Sequence, residues 1–507
     1  MVIEQFTSRD ALLQAAKLLQ RQVLTQQRTI ARLKARLAKL EGASNPEQLE
    51  LEYLKEQIDL LNTQLYAATS ERRHVEQAAA EAPPGEPQTG HGPTPQPLLP
   101  VVDVVHELAE EEKTCEKCGG TLEPIPNGDV VTEEIHVVEV SYEIRRHHRT
   151  KYACRCEETI KVAPGPKRLI PGGRYSNDFA VHVAARKYLE HMPLERQVAS
   201  MARAGLQVGS QTLWDQIDAL AKVLEPTYEA LCAEVLESGV VHADETHWRL
   251  MGRKNETSRW WVWSVVSDTI STYRIVDSRS SKVAQKLLGG HEGIVVVDGY
   301  GAYRALERDG PRERGPTLAF CWAHVRRKFI KAERMEPRLA KEFLDLIGSL
   351  YAIEKTLPRV PGEGVETPER ERVLAERLRI RRERSQLVVN EIFRLAQEKK
   401  GSLPQRSTMG KAIAYLLKLR QGLGVFLDNP RVPLDNNHAE RALRGVVVGR
   451  KNHYGSRSKR GTRVAAIFYT LFETAKLSGI DPARYVTRAM ERALETPGRP
   501  TLPNELA

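Results

Sequence analysis

Three carboxylates in the second half of the chain have the residue type and order of a metal-dependent catalytic site. Asp244 ends the apolar run VVHAD, Asp298 ends the run GIVVVD, and Glu440 lies in the polar segment LDNNHAERALR. Two buried carboxylates repel each other unless a cation lies between them. Oxygen ligands suit Mg²⁺ or Mn²⁺, and two such ions roughly 3.5 to 4 Å apart can activate an attacking oxygen and stabilise a leaving one. The three residues therefore predict two-metal phosphodiester chemistry.

Polar and basic side chains are concentrated around Glu440. Asn436, Asn437 and Arg444 fall at spacings of three or four, which place them on the same helical face as Glu440. The basic residues expected to contact DNA here are Arg441, Arg444, Arg450 and Lys451. The plain alternative is a capping box made by Asn437 and Glu440, with the two aspartates as turn residues after strands. The three carboxylates in this order favour the catalytic interpretation.

The segment CWAHVRRKF, residues 321–329, follows what should be the fifth strand. We assign His324, Arg326 and Arg327 to DNA phosphate or to transition-state charge. Cys321 and His324 could instead be core residues, which is a simpler explanation than metal binding by this pair.

Two close cysteine pairs predict a structural zinc site. Cys115-x-x-Cys118 precedes a stretch of alternating β-prone residues, and Cys154-x-Cys156 follows it. Two turns in this order could supply four thiolates to one tetrahedral Zn²⁺, as in a zinc ribbon. Because ribbons usually carry two CxxC pairs, His147 or His148 could replace a thiolate, and free thiols are the alternative.

The elements that must position Asp244 and Asp298 are predicted to be strands. From residue 240 the chain reads VVHADETHWRL, RWWVWSVVSD and STYRIVDS, then a short helix SKVAQKLLG, then GIVVVDGYGAY. Three strands, a helix and a fourth strand are the order of a ribonuclease H-type sheet, in which the two aspartates end adjacent strands. The tryptophans at 260, 261 and 263 are interpreted as strand core, with stacking of one on an unpaired base as the alternative.

A helix-turn-helix is predicted before these strands. Leu194 to Ala204, then Gly205, then a helix from an N-cap at Ser210 to Leu220 has the expected spacing. The residues expected to face DNA are Gln211, Thr212, Trp214 and Asp215. Plain helix packing is the alternative.

The N-terminal region predicts self-association. Apolar residues recur in one heptad frame from Leu12 to Leu65, and such a seam buries itself against another helix. Gly42 and Pro46 interrupt the frame, so a dimeric coiled coil or a folded-back hairpin would satisfy it, and a helix packed on its own core is a further alternative. Residues 82–100 contain seven prolines and predict a linker.

Composition favours an anionic partner. The 507 residues carry 76 Lys plus Arg against 66 Asp plus Glu, for a net charge of +10, which suits nucleic acid. No leader-like N-terminus or apolar run of roughly 18 residues is present, so we expect a soluble, intracellular protein and no membrane association.

The fold class predicted is multidomain α+β: a ribonuclease H-like core, with a mixed five-stranded sheet and a helical insertion, preceded by coiled coil, zinc ribbon and helix-turn-helix. The predicted segments are a leucine-zipper-like coiled coil at 1–80, a linker at 81–104, a zinc-ribbon-like segment at 105–170, a helix-turn-helix region at 171–236, the first part of the core at 237–332, the insertion at 333–432, the catalytic helix at 433–460 and a C-terminal helical segment at 461–507.

Six ordered motifs resemble the insertion-sequence-66 family of DDE transposases. They are HADET at 242–246, DGY at 298–300, CWAHVRRKF at 321–329, DNNHAERALR at 435–444, GRKN at 449–452 and GTRVAAIFYTLFETAKLSGIDP at 461–482. The resemblance covers nearly the whole chain.

The resemblance implies that Asp244, Asp298 and Glu440 form the catalytic triad, which cuts element ends and joins the freed 3′-hydroxyl to target DNA. The implied cofactors are two Mg²⁺ (or Mn²⁺) ions and one structural Zn²⁺. The implied partners are terminal inverted repeats, target DNA, a second copy through the coiled coil, and small companion proteins of the same element, in bacterial cytoplasm at the nucleoid. A DNA-binding regulator or domesticated descendant without strand transfer, and a stand-alone nuclease, are the alternatives.

Overall fold

The computed structural model describes residues 141–153, 160–251, 257–308, 315–360 and 368–506. The described residues from 142 onward belong to one compact unit. The predicted coiled coil, the proline-rich linker and the four cysteines assigned to zinc lie outside the described residues.

A mixed five-stranded sheet forms the centre of this unit. Its strands are β3 (Val240–Met251), β4 (Thr257–Val266), β5 (Ser271–Val276), β6 (Ile294–Val297) and β7 (Thr317–Phe320). Their spatial order is β5-β4-β3-β6-β7, with β4 antiparallel to β3 and β5, and β6 parallel to β3 and β7. The predicted five-stranded mixed sheet is confirmed, and its order is consistent with a ribonuclease H-like core. Two short strands, β1 (Lys151–Ala153) and β2 (Ile160–Val162), pair separately.

Three helices precede the sheet: α1 (Asn177–Tyr188), α2 (Leu194–Arg203) and α3 (Ser210–Glu234). The predicted N-cap at Ser210 is wrong by one residue, because Gly209 holds the extended N-cap position and Ser210 is the first helical residue. Helix α3 has 25 residues and buries Leu213 and Ile217 in its first half. It is thus a long core helix, and its use as a recognition helix stays a prediction.

Eleven further helices lie in the described part of the chain from residue 281. They are α4 (Ser281–Leu288), α5 (Ala305–Arg308), α6 (Trp322–Ala332), α7 (Pro337–Thr356), α8 (Pro368–Ile380), α9 (Gln386–Lys399), α10 (Thr408–Lys418), α11 (Arg420–Asp428), α12 (Asn437–His453), α13 (Lys459–Leu477) and α14 (Pro482–Glu495). A π-helical turn, Arg381–Ser385, joins α8 to α9.

Helices α7 and α10 pack against α6, and α9 packs against both of them. Phe329 of α6 stacks on Phe343 of α7 with ring centroids 4.3 Å apart, and the indole of Trp322 donates to the Leu423 carbonyl of α11 at 3.0 Å. The fully buried Arg381 guanidinium donates to both oxygens of Glu354 at 2.7 and 2.8 Å. These bonds hold the helices that separate Asp298 from Glu440 in sequence against the core.

Helix α13 packs against β5 and supports the sheet with apolar side chains. Its residues Val464, Ile467, Phe468, Leu471 and Phe472 are all fully buried. The Ser458 side chain caps its N-terminus by accepting from the Gly461 amide at 3.0 Å. Among the described residues, none of the helices is long and apolar enough to span a bilayer.

Candidate active site

Asp244 lies inside β3 and not at a strand end as predicted, whereas Asp298 directly follows β6, the adjacent parallel strand. In the β3–β6 ladder His242 pairs with Val296, so the same register two residues further on sets Asp244 beside Asp298. One oxygen of Asp244 accepts the Glu245 amide at 2.8 Å, and one oxygen of Asp298 accepts the Tyr300 amide at 2.8 Å. Both carboxylates are thereby oriented by backbone.

Burial, followed by the charges of Glu245, Asp298 and Glu440, raises the pKa of Asp244 to about 7. The Glu245 amide bond acts in the opposite direction. Neighbouring carboxylates disfavour the charged form of a carboxylate, and a cation bound between them would favour it. The three predicted residues thus share one electrostatic environment.

Asn436 fixes the start of α12 against β3. Its side-chain amide donates to the Ala243 carbonyl at 2.8 Å, and its oxygen accepts from Nδ1 of His242 at 3.0 Å. Its backbone amide donates to Sγ of Cys321 at 3.1 Å. Asn436 is fully buried and is the N-cap residue of α12, with no side-chain cap hydrogen bond. Glu440 follows four residues later and is held near the strand ends.

The capping-box interpretation of Glu440 is wrong. The helix begins at Asn437, so Asn437 is not the N-cap residue and Glu440 is not three positions beyond the cap. Instead, the Glu440 carboxylate receives the guanidinium of Arg327, with Nη2 at 2.8 Å from Oε2 and Nη1 at 3.0 Å from Oε1.

His324 lies one helical turn before Arg327 on α6. The Arg327 Nη1 donates to Nε2 of His324 at 3.1 Å, so the imidazole proton is on Nδ1. That Nδ1 is buried, lacks a hydrogen-bond partner among the described residues, and lies 3.8 Å from Oε1 of Glu440. Burial and the charge of Arg327 lower the pKa of His324. Neutral His324 and cationic Arg327 therefore both lie beside Glu440. Cys321 is a buried core residue, as its alternative interpretation held.

The carboxylates have the donor chemistry for divalent cations but are not arranged around one. Across the residues that the structure describes, no three His, Cys, Asp or Glu side chains are grouped so that they could hold a metal ion. The Glu440 carboxylate instead faces Arg327, whose guanidinium contacts both of its oxygens. Burial and, after it, repulsion from neighbouring carboxylates raise the pKa of Asp244; a bound cation would offset both, so the residues fit Mg²⁺ or Mn²⁺ once Glu440 is free.

The predicted DNA-contacting residues fall into two groups. Arg441, Arg444 and Lys451 are exposed on α12. Arg450 is half-buried and donates to the Thr246 hydroxyl at 3.1 Å and to the His247 carbonyl. Arg450 therefore ties α12 to β3, while the first three are open to solvent.

The predicted contacts of the helix-turn-helix lie on another element, the first turns of α3. Gln211 is exposed and donates to Asp215 at 2.8 Å, whereas Trp214 packs partly against the core. Thr212 is half-buried. Nothing in this arrangement selects DNA contact over plain packing.

The tryptophans of β4 differ in burial. Trp263 is fully buried and its indole donates to the Ser278 carbonyl at 3.1 Å, which confirms its assignment to the core. Trp260 and Trp261 are partly buried against the same core.

One cluster beside the site was not predicted. Glu245 is buried next to Asp244 and is bound by Arg279 and Tyr303. Arg279 lies in the polar turn DSRSS, between β5 and α4, and no motif or periodicity marks it. The only sequence signal was its position between two predicted elements of the core.

Two family models match the chain. The model described as transposase IS66 family matches residues 172–464, and the model for the zinc-finger binding domain of transposase IS66 matches residues 112–157. The chain belongs to the IS66 transposase family. The predicted family is therefore confirmed, and membership implies a transposase, a class of protein that binds DNA and uses divalent metal ions.

Relatives in Sinorhizobium fredii (strain NBRC 101917 / NGR234) extend over most of this IS66 family chain. The uncharacterized protein y4jD is 31% identical over 78% of the chain and 77% of its own length. The uncharacterized proteins y4hP and y4qI are each 28% identical, over 88% and 90% of the chain and 82% and 84% of their own lengths.

Proposed function

We propose that this chain is an active DNA transposase that cuts the ends of its insertion element and joins them to target DNA. The observation that carries the proposal is the buried Asp244 carboxyl, whose pKa is raised to about 7 by burial first and then by the charges of Glu245, Asp298 and Glu440. A buried carboxyl group with a raised pKa, close to carboxylates from other elements, is typical of a catalytic centre.

In this proposal Asp244, Asp298 and Glu440 would hold two Mg²⁺ or Mn²⁺ ions, which would supply activation of the attacking oxygen and stabilisation of the leaving one. The protein itself contributes by positioning the three carboxylates. The backbone amides of Glu245 and Tyr300 orient the two aspartates, and Asn436 fixes the helix that carries Glu440.

The DNA interface belongs to the same proposal. Arg441, Arg444 and Lys451 form an exposed basic face on the helix that carries Glu440, where they would bind phosphates beside the scissile bond. Arg326 and Arg327 would add charge from α6. Recognition of the terminal repeats is assigned to the helix-turn-helix region and to the zinc segment with Cys115, Cys118, Cys154 and Cys156.

The coiled coil at 1–80 would pair two copies, so that two element ends are held together. Small companion proteins of the same element are proposed as further partners. A dimer with two end-binding modules distinguishes a transposase from a stand-alone nuclease, which needs no pairing of ends.

The test is a strand-transfer assay with full-length protein, Mg²⁺ and a duplex that carries the element's terminal repeat. We expect joined product from the wild type and none from Asp244→Asn or Glu440→Gln, while end binding is retained. Asp268→Asn, which changes an exposed carboxylate in the β4–β5 turn, is the matched control and should stay active.

Two results would contradict the proposal. Product formation by Asp244→Asn at the wild-type rate would disprove the triad. A wild-type protein that binds the repeat but makes no product, even with the companion proteins added, would identify a regulatory descendant.

A further inference from the structure

A fully buried carboxylate lies directly behind the proposed site. The side chain of Glu245 is 0% exposed, and it follows Asp244 in β3. Its Oε1 accepts from Nε of Arg279 at 2.7 Å and also contacts Nη2 of Arg279, and its Oε2 accepts the hydroxyl of Tyr303 at 2.5 Å. A buried carboxylate without partners would be strongly destabilising, so Arg279 and Tyr303 are required to keep Glu245 in place.

Arg279 also contacts the segment that carries Asp298. Its guanidinium lies 3.8 Å from the ring centroid of Tyr300 and 4.9 Å from that of Trp261. The Tyr300 hydroxyl donates to the backbone carbonyl of Arg279 at 3.0 Å. Tyr300 is therefore bound to Arg279 through both its ring face and its hydroxyl.

Asp298 depends on the same tyrosine. Its Oδ1 accepts the Tyr300 amide at 2.8 Å, so the carboxylate orientation follows the position of the Tyr300 backbone. On the other side of the loop, the Gly299 amide donates to the Tyr415 hydroxyl at 3.1 Å. A Cβ at Gly299 would approach that hydroxyl to 2.5 Å, so the loop fits only with glycine there.

We propose that Arg279 is a positioning residue for the proposed metal site: by joining Glu245 of β3 to Tyr300 of the loop after β6, it sets the orientation of Asp298 relative to Asp244. The inference rests on the proposed function. Arg279 contacts no reacting atom in this proposal, because its guanidinium donates to Glu245 and its flat face lies against the rings of Trp261 and Tyr300.

Only an arginine side chain can hydrogen-bond to Glu245 and stack on the ring of Tyr300 at the same time. A lysine keeps the charge but has neither the planar fork nor the flat face that stacks on a ring. Residues that orient metal ligands from behind typically change metal affinity about 10- to 100-fold when mutated. Arg279→Lys should therefore weaken metal binding while the fold persists.

The matched control is Arg274→Lys. Arg274 is on β5, donates to both oxygens of Glu229 at 3.1 and 2.6 Å, and lies 4.8 Å from the ring centroid of Tyr228. The same fork and ring contact thus occur in a pair that does not include Glu245 or Tyr300. A general cost of losing an arginine would affect both variants alike.

The experiment measures the melting temperature of the full-length, zinc-loaded protein as a function of MnCl₂ without DNA, together with the Mg²⁺ dependence of end cleavage. For Arg279→Lys we expect an apparent Mn²⁺ affinity about tenfold weaker, a half-saturating Mg²⁺ concentration raised by about the same factor, and cleavage at saturating metal within about threefold of the wild type. Arg274→Lys should match the wild type in all three.

Tyr300→Phe provides a second, milder variant. It removes only the hydroxyl that reaches the Arg279 carbonyl, and should shift both metal affinities in the same direction by about threefold. If Arg279→Lys does not fold, the metal affinity of Tyr300→Phe still tests the inference.

The outcomes separate the inference from the proposed function. If Mn²⁺ raises the melting temperature of the wild type but not of Asp298→Asn, and Arg279→Lys and Tyr300→Phe bind Mn²⁺ like the wild type, the inference is wrong and the metal site stands. The inference also fails if Arg279→Lys loses DNA affinity with unchanged Mn²⁺ binding. If Mn²⁺ has no effect on the wild type and Mg²⁺ supports no cleavage, the proposed function itself is wrong.

Discussion

The guanidinium of Arg327 binds both oxygens of the Glu440 carboxylate, with Nη2 at 2.8 Å from Oε2 and Nη1 at 3.0 Å from Oε1. The two residues come from different helices, α6 and α12, and are 113 residues apart in sequence. In the chain alone, the carboxylate proposed as the third metal ligand is neutralised by a fixed cation. Divalent cations must therefore compete with Arg327 for Glu440.

We predict that Arg327→Gln binds Mn²⁺ more tightly than the wild type in the absence of DNA. The Arg327 and Glu440 side chains are 37% and 25% exposed, so the pair contributes at most about 1 kcal/mol, which corresponds to about fivefold in affinity. The measurement is the MnCl₂ dependence of the melting temperature. Arg326→Gln removes the same charge from the same helix and is the control. Weaker Mn²⁺ binding by Arg327→Gln would mean that the arginine orients Glu440 for the metal.

We predict opposite effects for alanine at two glycines of α12. A Cβ at Gly449 would overlap the hydroxyl of Tyr469 and lie 3.0 Å from Nε2 of His453, whereas one at Gly445 would lie 3.4 Å from the Glu473 carboxylate. Gly449→Ala should lower the free energy of unfolding by about 1 to 3 kcal/mol through overpacking. Gly445→Ala should raise it by up to about 1 kcal/mol through helix propensity. Urea denaturation measures both, and changes of equal sign would refute the close contact between α12 and α13.

We predict that acid destabilises the protein through His453. Burial and the charge of Lys187 lower the pKa of His453 from 6.5 to about 3 in the folded protein. As pH falls below 6.5 the unfolded chain takes up the proton first, so the stabilising contribution is complete above pH 6.5 and is lost as the pH approaches 3.

The variant for this prediction is His453→Gln, in which an amide can replace the imidazole beside the Gly455 carbonyl and the Tyr469 hydroxyl. Between pH 7 and pH 5 the wild type should lose about 1 to 2 kcal/mol more than the variant. His148→Gln, at an exposed histidine, should keep the wild-type slope. Parallel pH profiles for the wild type and His453→Gln would show that another group causes the acid sensitivity.

We predict that Cys115→Ser abolishes zinc binding and weakens binding to the terminal repeat, because a tetrahedral site with one ligand lost is unstable. Metal analysis of purified protein and a binding titration test both effects. Cys232→Ser, at a thiol of α3 inside the core unit, should retain the wild-type zinc content. A wild-type protein that contains no zinc would disprove the site.

The proximity of the two aspartates was predictable because each follows an apolar run typical of a buried strand and the two strands are parallel neighbours. The prediction that both aspartates end their strands was wrong for Asp244, because β3 continues to Met251. The five-stranded sheet followed from the same runs. The link from Arg279 to Glu245 spans 34 residues and that from Arg327 to Glu440 spans 113. No local periodicity records such contacts, and so the partners of the carboxylates were missed.

Asn436 illustrates the same limit. Its spacing placed it on the helical face of Glu440, whereas it lies before the helix with its side chain bonded to His242 and Ala243. An asparagine before a helix usually satisfies the helix's own amides. Here a tertiary contact replaces that local role, which a single sequence does not reveal.

The bonds to β3 from residues on either side of α12 also bear on how the chain acquires its structure. His242 and Asn436 are 194 residues apart, and Trp248 and Ser456 are 208 residues apart. Contacts at such separations close late, because the entropy of the intervening loop must be overcome first. During synthesis, Glu440 can join the aspartates only after the seven described helices between Asp298 and α12 have emerged, so a nascent chain that ends before Glu440 has no complete centre with which to cut DNA.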